Sequence, residues 1–212
     1  MKKKILIIGA GGHAKSLIDV IESTKRFKII GLIDSKKNKK SIFDKYKILG
    51  SDLQINKIKK YSKLAVVGIG QIKEAKKRIN AYELLKKFKF KTPTICSPKS
   101  YVSKYSILEE GTVIFHGAII NAGAHIGKNT IINTRAVIEH DVKIGNHCHV
   151  STNATLNGGV ILGNNSFVGS NAVIKENIKV GINCIIAANT FLKKNLSDNE
   201  IYNPKKWIKK FY

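Results

Sequence analysis

Six histidines are the side chains of this sequence best suited to moving protons near neutral pH, and one of them, His140, stands between two acids in the run Ile138-Glu139-His140-Asp141. An imidazole titrates in the physiological range. A carboxylate that accepts a hydrogen bond from one ring nitrogen fixes the tautomer and makes the other nitrogen a better base. His140 is therefore the expected proton acceptor. His149, nine residues on, is expected to point outward, where its ring would donate to a bound carbonyl. His147 falls where a turn residue belongs, and His116 and His125 read as solvated surface groups. None of Cys96, Cys148 and Cys184 reads as a nucleophile, because the last two fall in an inward-facing column and the first precedes the repeats described below. No covalent intermediate on cysteine is expected.

A second cluster opens the chain. Gly9-Ala10-Gly11-Gly12-His13-Ala14 follows a short apolar strand, Lys4 to Ile8, and precedes a helical pattern at Leu17, Ile18 and Ile21. Strand, glycine turn and helix make a phosphate-binding geometry, because glycines let the backbone approach an anion and the helix start offers free N–H groups. A second strand, Lys28 to Ile33, ends in Asp34, about where an acid meets a ribose or base. A third, Leu64 to Val67, runs into Gly68-Ile69-Gly70, and a helix is expected over Lys73 to Lys87. The layout is β-α-β-β-α-β, a small Rossmann-like half. Close helix–strand packing is the other use for the same glycines.

What must position His140 and His149 is a repeat. From Val102 to Leu192 an aliphatic residue occupies every sixth position, sixteen of sixteen being Val, Ile or Leu. Neither a helix nor a simple strand repeats at six, so the backbone unit itself does. Two residues before each aliphatic stands a small or apolar residue on the same strand face. Three residues after, thirteen of sixteen are Gly, Asn or Asp, the types that tolerate positive φ. Strand and corner, three times per turn, give a triangular prism: a parallel β-helix of 18 residues per coil, left-handed as hexapeptide arrays are. Its height is roughly 25 Å at ~4.8 Å per strand spacing. The fold class expected is an α/β Rossmann-like domain at 1–96 followed by an all-β left-handed β-helix at 97–212, with Pro93 and Pro98 bracketing the connector.

Composition narrows the function. The net charge of +24 comes almost entirely from lysine spread along both halves, with only Arg26, Arg78 and Arg135 as arginines and no aromatic-interleaved basic stripe. Nucleic acid is not expected as a partner; attraction of phosphorylated small substrates is. No stretch is long and apolar enough to span a membrane. The Met1-Lys2-Lys3-Lys4 start is followed by too short an apolar run for a signal peptide, and the cysteines read as reduced core residues, so a cytoplasmic protein is expected.

The front run Ile8 to Ala14, the six-residue array, and Ile138-Glu139-His140-Asp141 continuing to His147-Cys148-His149-Val150-Ser151 resemble the bacterial sugar acetyltransferases of the sialic acid O-acetyltransferase and UDP-4-amino-sugar N-acetyltransferase type. The resemblance covers the chain to about residue 195. It implies acetyl-CoA as co-substrate, His140 as general base with Asp141 raising its basicity, and His149 touching the acetyl thioester. It further implies nucleotide-sugar contacts at Gly11, Gly12, His13, Asp34 and Gly70. Coenzyme A would run along the prism between subunits of a homotrimer past Ser170 and Ala188, which are eighteen residues apart and hence stacked, while Gly158 would leave room beside the base. The closing Gly-x-Pro-Ala-Lys of many such enzymes is Tyr202-Asn203-Pro204-Lys205-Lys206-Trp207 here. Lys205 or Lys206 would pair with the cofactor's 3′-phosphate, and Trp207 would stack or cap the prism, the cap being the favoured reading. Gamma-type carbonic anhydrases share such a prism, but His147-x-His149 has no accompanying H-x-x-x-x-H pair, and no metal is expected. The expected activity is acetylation of a nucleotide-linked amino sugar at its 4-amino group, in bacterial surface glycan biosynthesis. O-acetylation of a sialic acid is the alternative within the class; an NAD-dependent oxidoreductase and a non-catalytic scaffold are the alternatives outside it.

Overall fold

The computed structural model describes residues 2–35, 41–72 and 74–204. Within them each six-residue unit contributes one two-residue strand, and the strands stack as three parallel sheets. Partners lie eighteen residues apart, as in Ile131 with His149, Ile119 with Val137, and Lys143 with Ile161. Face 1 runs from Ile95–Cys96 to Ile201–Tyr202, face 2 from Tyr101–Val102 to Phe191–Leu192, and face 3 from Ile107–Leu108 to Lys179–Val180. The aliphatic column fills the prism: from Ile114 to Leu192 no member is more than 4% exposed.

The corners turn as the spacing requires. Every column residue from Gly111 to Asn189 has φ between 51° and 74°, including His147 and also Arg135, which lacks the usual local tolerance. The ladder hydrogen bonds above and below over-determine the backbone at both, so at Arg135 the repeat overrides residue preference. The end positions Tyr105 and Asn195, both in the expected column, are not left-handed. At the upper end the repeat has already changed: Ile185 pairs with Ile201, a rung of sixteen residues, and Leu196 supplies the inward side chain. Cys148 and Cys184 point inward and are fully buried, and burial pushes the Cys148 thiol up to about 12.

The front domain is a five-stranded sheet of β1 (Lys3–Ile8), β2 (Phe27–Ile33), β3 (Ser41–Ile42), β4 (Tyr46–Gly50) and β5 (Ala65–Val67), in the order β3-β4-β2-β1-β5. All pairs are parallel except the β3–β4 hairpin. Residues 5–8 of central β1 are at most 2% exposed, as a strand covered on both faces must be. Helix α1 (Gly12–Ser23) follows the glycine turn; α2 (Ile55–Ile58) is a single short turn; α3 (Lys76–Lys87) begins three residues later than expected, Lys73 itself lying outside the described residues. The hairpin and α2 are additions to the expected layout. The domain docks on the lower part of face 1, where Ile95, Val113, Phe115 and Ile131 share one apolar core with Ile5, Ile7, Leu17 and Ile21.

Candidate active site

At the C-terminal ends of β1, β2 and β5, the glycine turn, Asp34 and Gly68-Ile69-Gly70 enclose a cleft of about 760 Å³. Gly11, Gly12, His13, Asp34 and Gly70 all line it, with Asp52, Lys77 and Asn80 opposite. The glycines divide by role. A methyl on Gly9 would meet Ile69 Cγ1 at 2.6 Å, and one on Gly68 would meet Ile7 Cγ2 at 2.6 Å, so these two serve packing. A methyl on Gly11 or Gly12 would meet nothing within 4 Å, so these two keep an approach open to the start of α1, where no side chain caps the free N–H groups. Asp34 Oδ2 accepts a 2.6 Å hydrogen bond from the Ala10 N–H, so this acid holds the turn as well as facing the cleft. Burial first, then the charge of Asp34, raises the Asp52 carboxyl.

A second recess, about 490 Å³, opens higher on face 1 and its corner with face 2. His149, Ser151, Phe167, Gly169, Ser170, Ala187 and Ala188 line it, with Ile72 of the front domain at its edge. Ser151 and Ser170 hydroxyls are 2.9 Å apart. His149 and His13 form the partition between cleft and recess: their ring centroids are 6.2 Å apart, and His13 also packs on Phe115 at 5.3 Å. His149 leaves the prism core as expected, yet it is only 6% exposed, because the front domain covers it. Its Nδ1 lies 2.7 Å from the Gln71 carbonyl oxygen and must carry the hydrogen. Nε2 then accepts from Asn133 Nδ2 at 3.2 Å. Burial pushes the imidazole down to about 4, against the opposing bond to Gln71. The expected donor is thus an acceptor, since Nε2–H would require the cation that burial excludes.

His140 sits elsewhere, at the corner between faces 2 and 3. Its Nδ1 is 2.9 Å from Asp141 Oδ2, leaving Nε2 to act, and both side chains are about 70% exposed. Glu139 does not share in this; it accepts from Asn121 instead. Gly158 lies one coil above, where a methyl would stand 2.7 Å from His140 Nε2 and Cε1. Ser170 and Ala188 stack on the corner between faces 1 and 2, one whole face away from His140, which is roughly 15–20 Å at about 3.3 Å per residue. Within one chain, therefore, His149, Ser170 and Ala188 come together, and His140 with Asp141 and Gly158 forms a separate group.

His116 and His125, expected to be free in solvent, are both paired. His116 joins Ser97 Oγ at 2.6 Å to Asp19 of α1 at 2.9 Å, and His125 meets Glu109 at 2.8 Å. Sequence reasoning passed over Gln71, whose side chain donates to the Asn165 carbonyl while its own carbonyl holds His149, and Arg78, which is fully buried. Their only signal was position, one just past Gly70 and the other the sole arginine of α3. Among the described residues no three His, Cys, Asp or Glu side chains converge to hold a metal, and no helix is long and apolar enough to cross a membrane. Lys205, Lys206 and Trp207 lie outside the described residues.

Residues 4–82 match the model of the PglD N-terminal domain, and residues 123–158 and 159–194 match that of the bacterial transferase hexapeptide (six repeats). Among curated proteins no sequence matches the chain. Among solved structures, perosamine N-acetyltransferase from Caulobacter crescentus, in complex with CoA and GDP-perosamine, is 27% identical, with 96% of this chain and 95% of that one covered and a TM-score of 0.88. The acetyltransferase domain of PglB from Neisseria gonorrhoeae is 24% identical over 97% of this chain and 99% of its own, also at 0.88. WeeI from Acinetobacter baumannii shares the fold at 19% identity, 96% and 98% coverage and a TM-score of 0.81. With both family models matched in order along one such fold, the chain is an acetyltransferase and belongs to the hexapeptide-repeat sugar acetyltransferases with a PglD-type N-terminal domain.

Proposed function

We propose that this protein transfers the acetyl group of acetyl-CoA to the amino group of a nucleotide-linked amino sugar, in the cytoplasm and in the service of bacterial surface glycan synthesis. The observation that carries the reading is the His13–His149 partition, which sets a phosphate-suited cleft and an apolar recess back to back on one chain. In the division of labour we infer, residues 1–96 bind the nucleotide through Gly11, Gly12, His13, Asp34 and Gly70, and residues 97–212 bind the thioester through His149, Ser170 and Ala188. The recess suits a thin pantetheine arm: Ile72, Phe167, Ile185 and two alanines give apolar walls, and two hydroxyls give polar contacts. The enzyme from Caulobacter crescentus that resembles this chain over nearly its whole length was solved with CoA and GDP-perosamine.

Because His140 is a full prism face from that recess, the base comes from a neighbouring subunit, and the site is complete only in a homotrimer. His140 Nε2, its partner nitrogen held by Asp141, takes a proton from the neutral sugar amine as its nitrogen attacks the thioester carbon. The tetrahedral oxyanion collapses with loss of the CoA thiolate, which leaves as the thiol after taking a proton from His140. The hydroxyl pair of Ser151 and Ser170, in which one O–H bonds the other oxygen and the second is left to donate, serves a developing oxyanion in place of His149. His149, whose Nε2 lone pair is taken by the Asn133 amide, offers the thioester its ring as a wall of the recess. The test is a panel of nucleotide 4-amino-sugars and sialic acids with acetyl-CoA, read by release of free thiol. Turnover of a nucleotide amino sugar is expected; turnover of free sialic acid alone would overturn the acceptor.

A further inference from the structure

Behind the nucleotide cleft lies a buried charge with no counter-charge. Arg78 is 0% exposed, and among the described residues no carboxylate pairs with it. Its Nε donates to the Asn129 carbonyl at 3.0 Å, and Nη1 donates to the carbonyls of Ile69 at 2.7 Å and Val67 at 3.3 Å. Nη2 has no partner. Burial lowers the guanidinium to about 9, and the imidazoles of His13, His147 and His149 are pushed toward neutrality by burial and, in addition, by this charge. Carbonyls can be stapled by a neutral amide, as Gln71 does nearby with Asn165. A buried unpaired cation is a far more costly way to do it.

Its location supplies the reason. Ile69, whose carbonyl Arg78 holds, lines the cleft, as do Lys77 and Ala81 on either side of it in α3. Across the cleft the open positions at Gly11 and Gly12 lead to the uncapped start of α1. We propose that Arg78 is an electrostatic positioning residue for the substrate's diphosphate: the dianion in the cleft is the counter-charge that the folded chain withholds. The same guanidinium ties the Gly68–Gly70 loop to the prism corner at Asn129, so the cleft is shaped and charged by one group. This rests on the cleft being the nucleotide-sugar site. For a dianion roughly 8–10 Å away in an open, hydrated cleft with an effective dielectric of about 40, such a charge changes the affinity by about ten- to thirtyfold.

The experiment is calorimetric titration of the full-length protein with UDP, GDP and dTDP, with the matching nucleosides as neutral controls and CoA as an internal standard. In R78M the preferred diphosphate is expected to weaken about ten- to thirtyfold, while its nucleoside and CoA stay within about twofold. R78K, which keeps the charge, is expected to retain most of the diphosphate affinity. Unchanged diphosphate binding in R78M would overturn the proposal, and so would an equal loss for diphosphate, nucleoside and CoA, which marks a folding effect. If R78M does not fold, R78K decides: it lacks the planar fork that holds the three carbonyls, so retained affinity supports the charge and a loss beyond thirtyfold sinks it. A wild-type protein that binds none of the three diphosphates overturns the nucleotide reading and this proposal together.

Discussion

Gly158→Ala isolates the geometry of the base from its chemistry. The residue is not in the left-handed region, so alanine meets no backbone strain, and its new methyl would stand 2.7 Å from His140 Nε2 and Cε1. Ordinary contact begins near 3.4 Å, so the ring must retreat by roughly 0.7 Å. The ring is more than two-thirds exposed and pivots easily, so the fold is spared; a Gly→Ala change at a compatible backbone is worth about 0.4–1 kcal/mol in favour of folding. Displacement of a catalytic group by about 1 Å costs on the order of a hundredfold. We therefore expect kcat to fall by about 10- to 100-fold with KM for acetyl-CoA little changed and Tm equal or slightly raised. Free-thiol release under saturating substrates gives kcat, and a thermal melt gives Tm. If the variant keeps kcat within about twofold, His140 Nε2 is not the acting atom and the assignment of the base fails.

His140→Ala should cost about two to four decades in turnover. If the base crosses a subunit boundary, mixing it with an Ala188→Trp variant, itself blocked in the recess, restores a fraction of activity in reassembled trimers; no recovery on mixing contradicts the shared site. The burial of His149 also predicts a pH dependence of stability. A histidine whose folded value drops to about 4 favours the folded state above the unfolded value of 6.5, and that contribution fades as pH falls from 6.5 toward 4. The full swing is on the order of 3 kcal/mol. Tm should therefore fall over that interval more steeply in the wild type than in His149→Gln, and parallel curves would refute the neutral, buried ring.

The prism was legible because its rule is geometric. Val, Ile and Leu at every sixth place bury themselves whatever stands between them, and the corner column held even at Arg135, where residue preference argues against it. His140 with Asp141 was legible because the partners are adjacent in sequence. The state of His149 was not, since its burial and tautomer depend on Gln71, seventy-eight residues earlier, and on how the front domain docks. Arg78 was hidden for the same reason: its three acceptors lie nine, eleven and fifty-one residues away. The β3–β4 hairpin escaped because its turn uses Phe43 and Asp44 at φ of 52° and 47°, without the glycine that usually marks one.

The eighteen-residue rung makes sequence position an angular coordinate. Inserting six residues between Val150 and Phe167 would turn every later side chain by one third of a revolution, carrying Ser170 and Ala188 off the edge that forms the recess while leaving the core column intact. Inserting eighteen would keep their bearing and raise them by about 4.8 Å, a single strand spacing. An array of this kind can lengthen only by whole turns without losing its chemistry, and even a whole turn changes the span its thioester ligand has to cross. The sixteen-residue rung that pairs Ile185 with Ile201 comes after the last of these positions, where a slipped bearing displaces none of them.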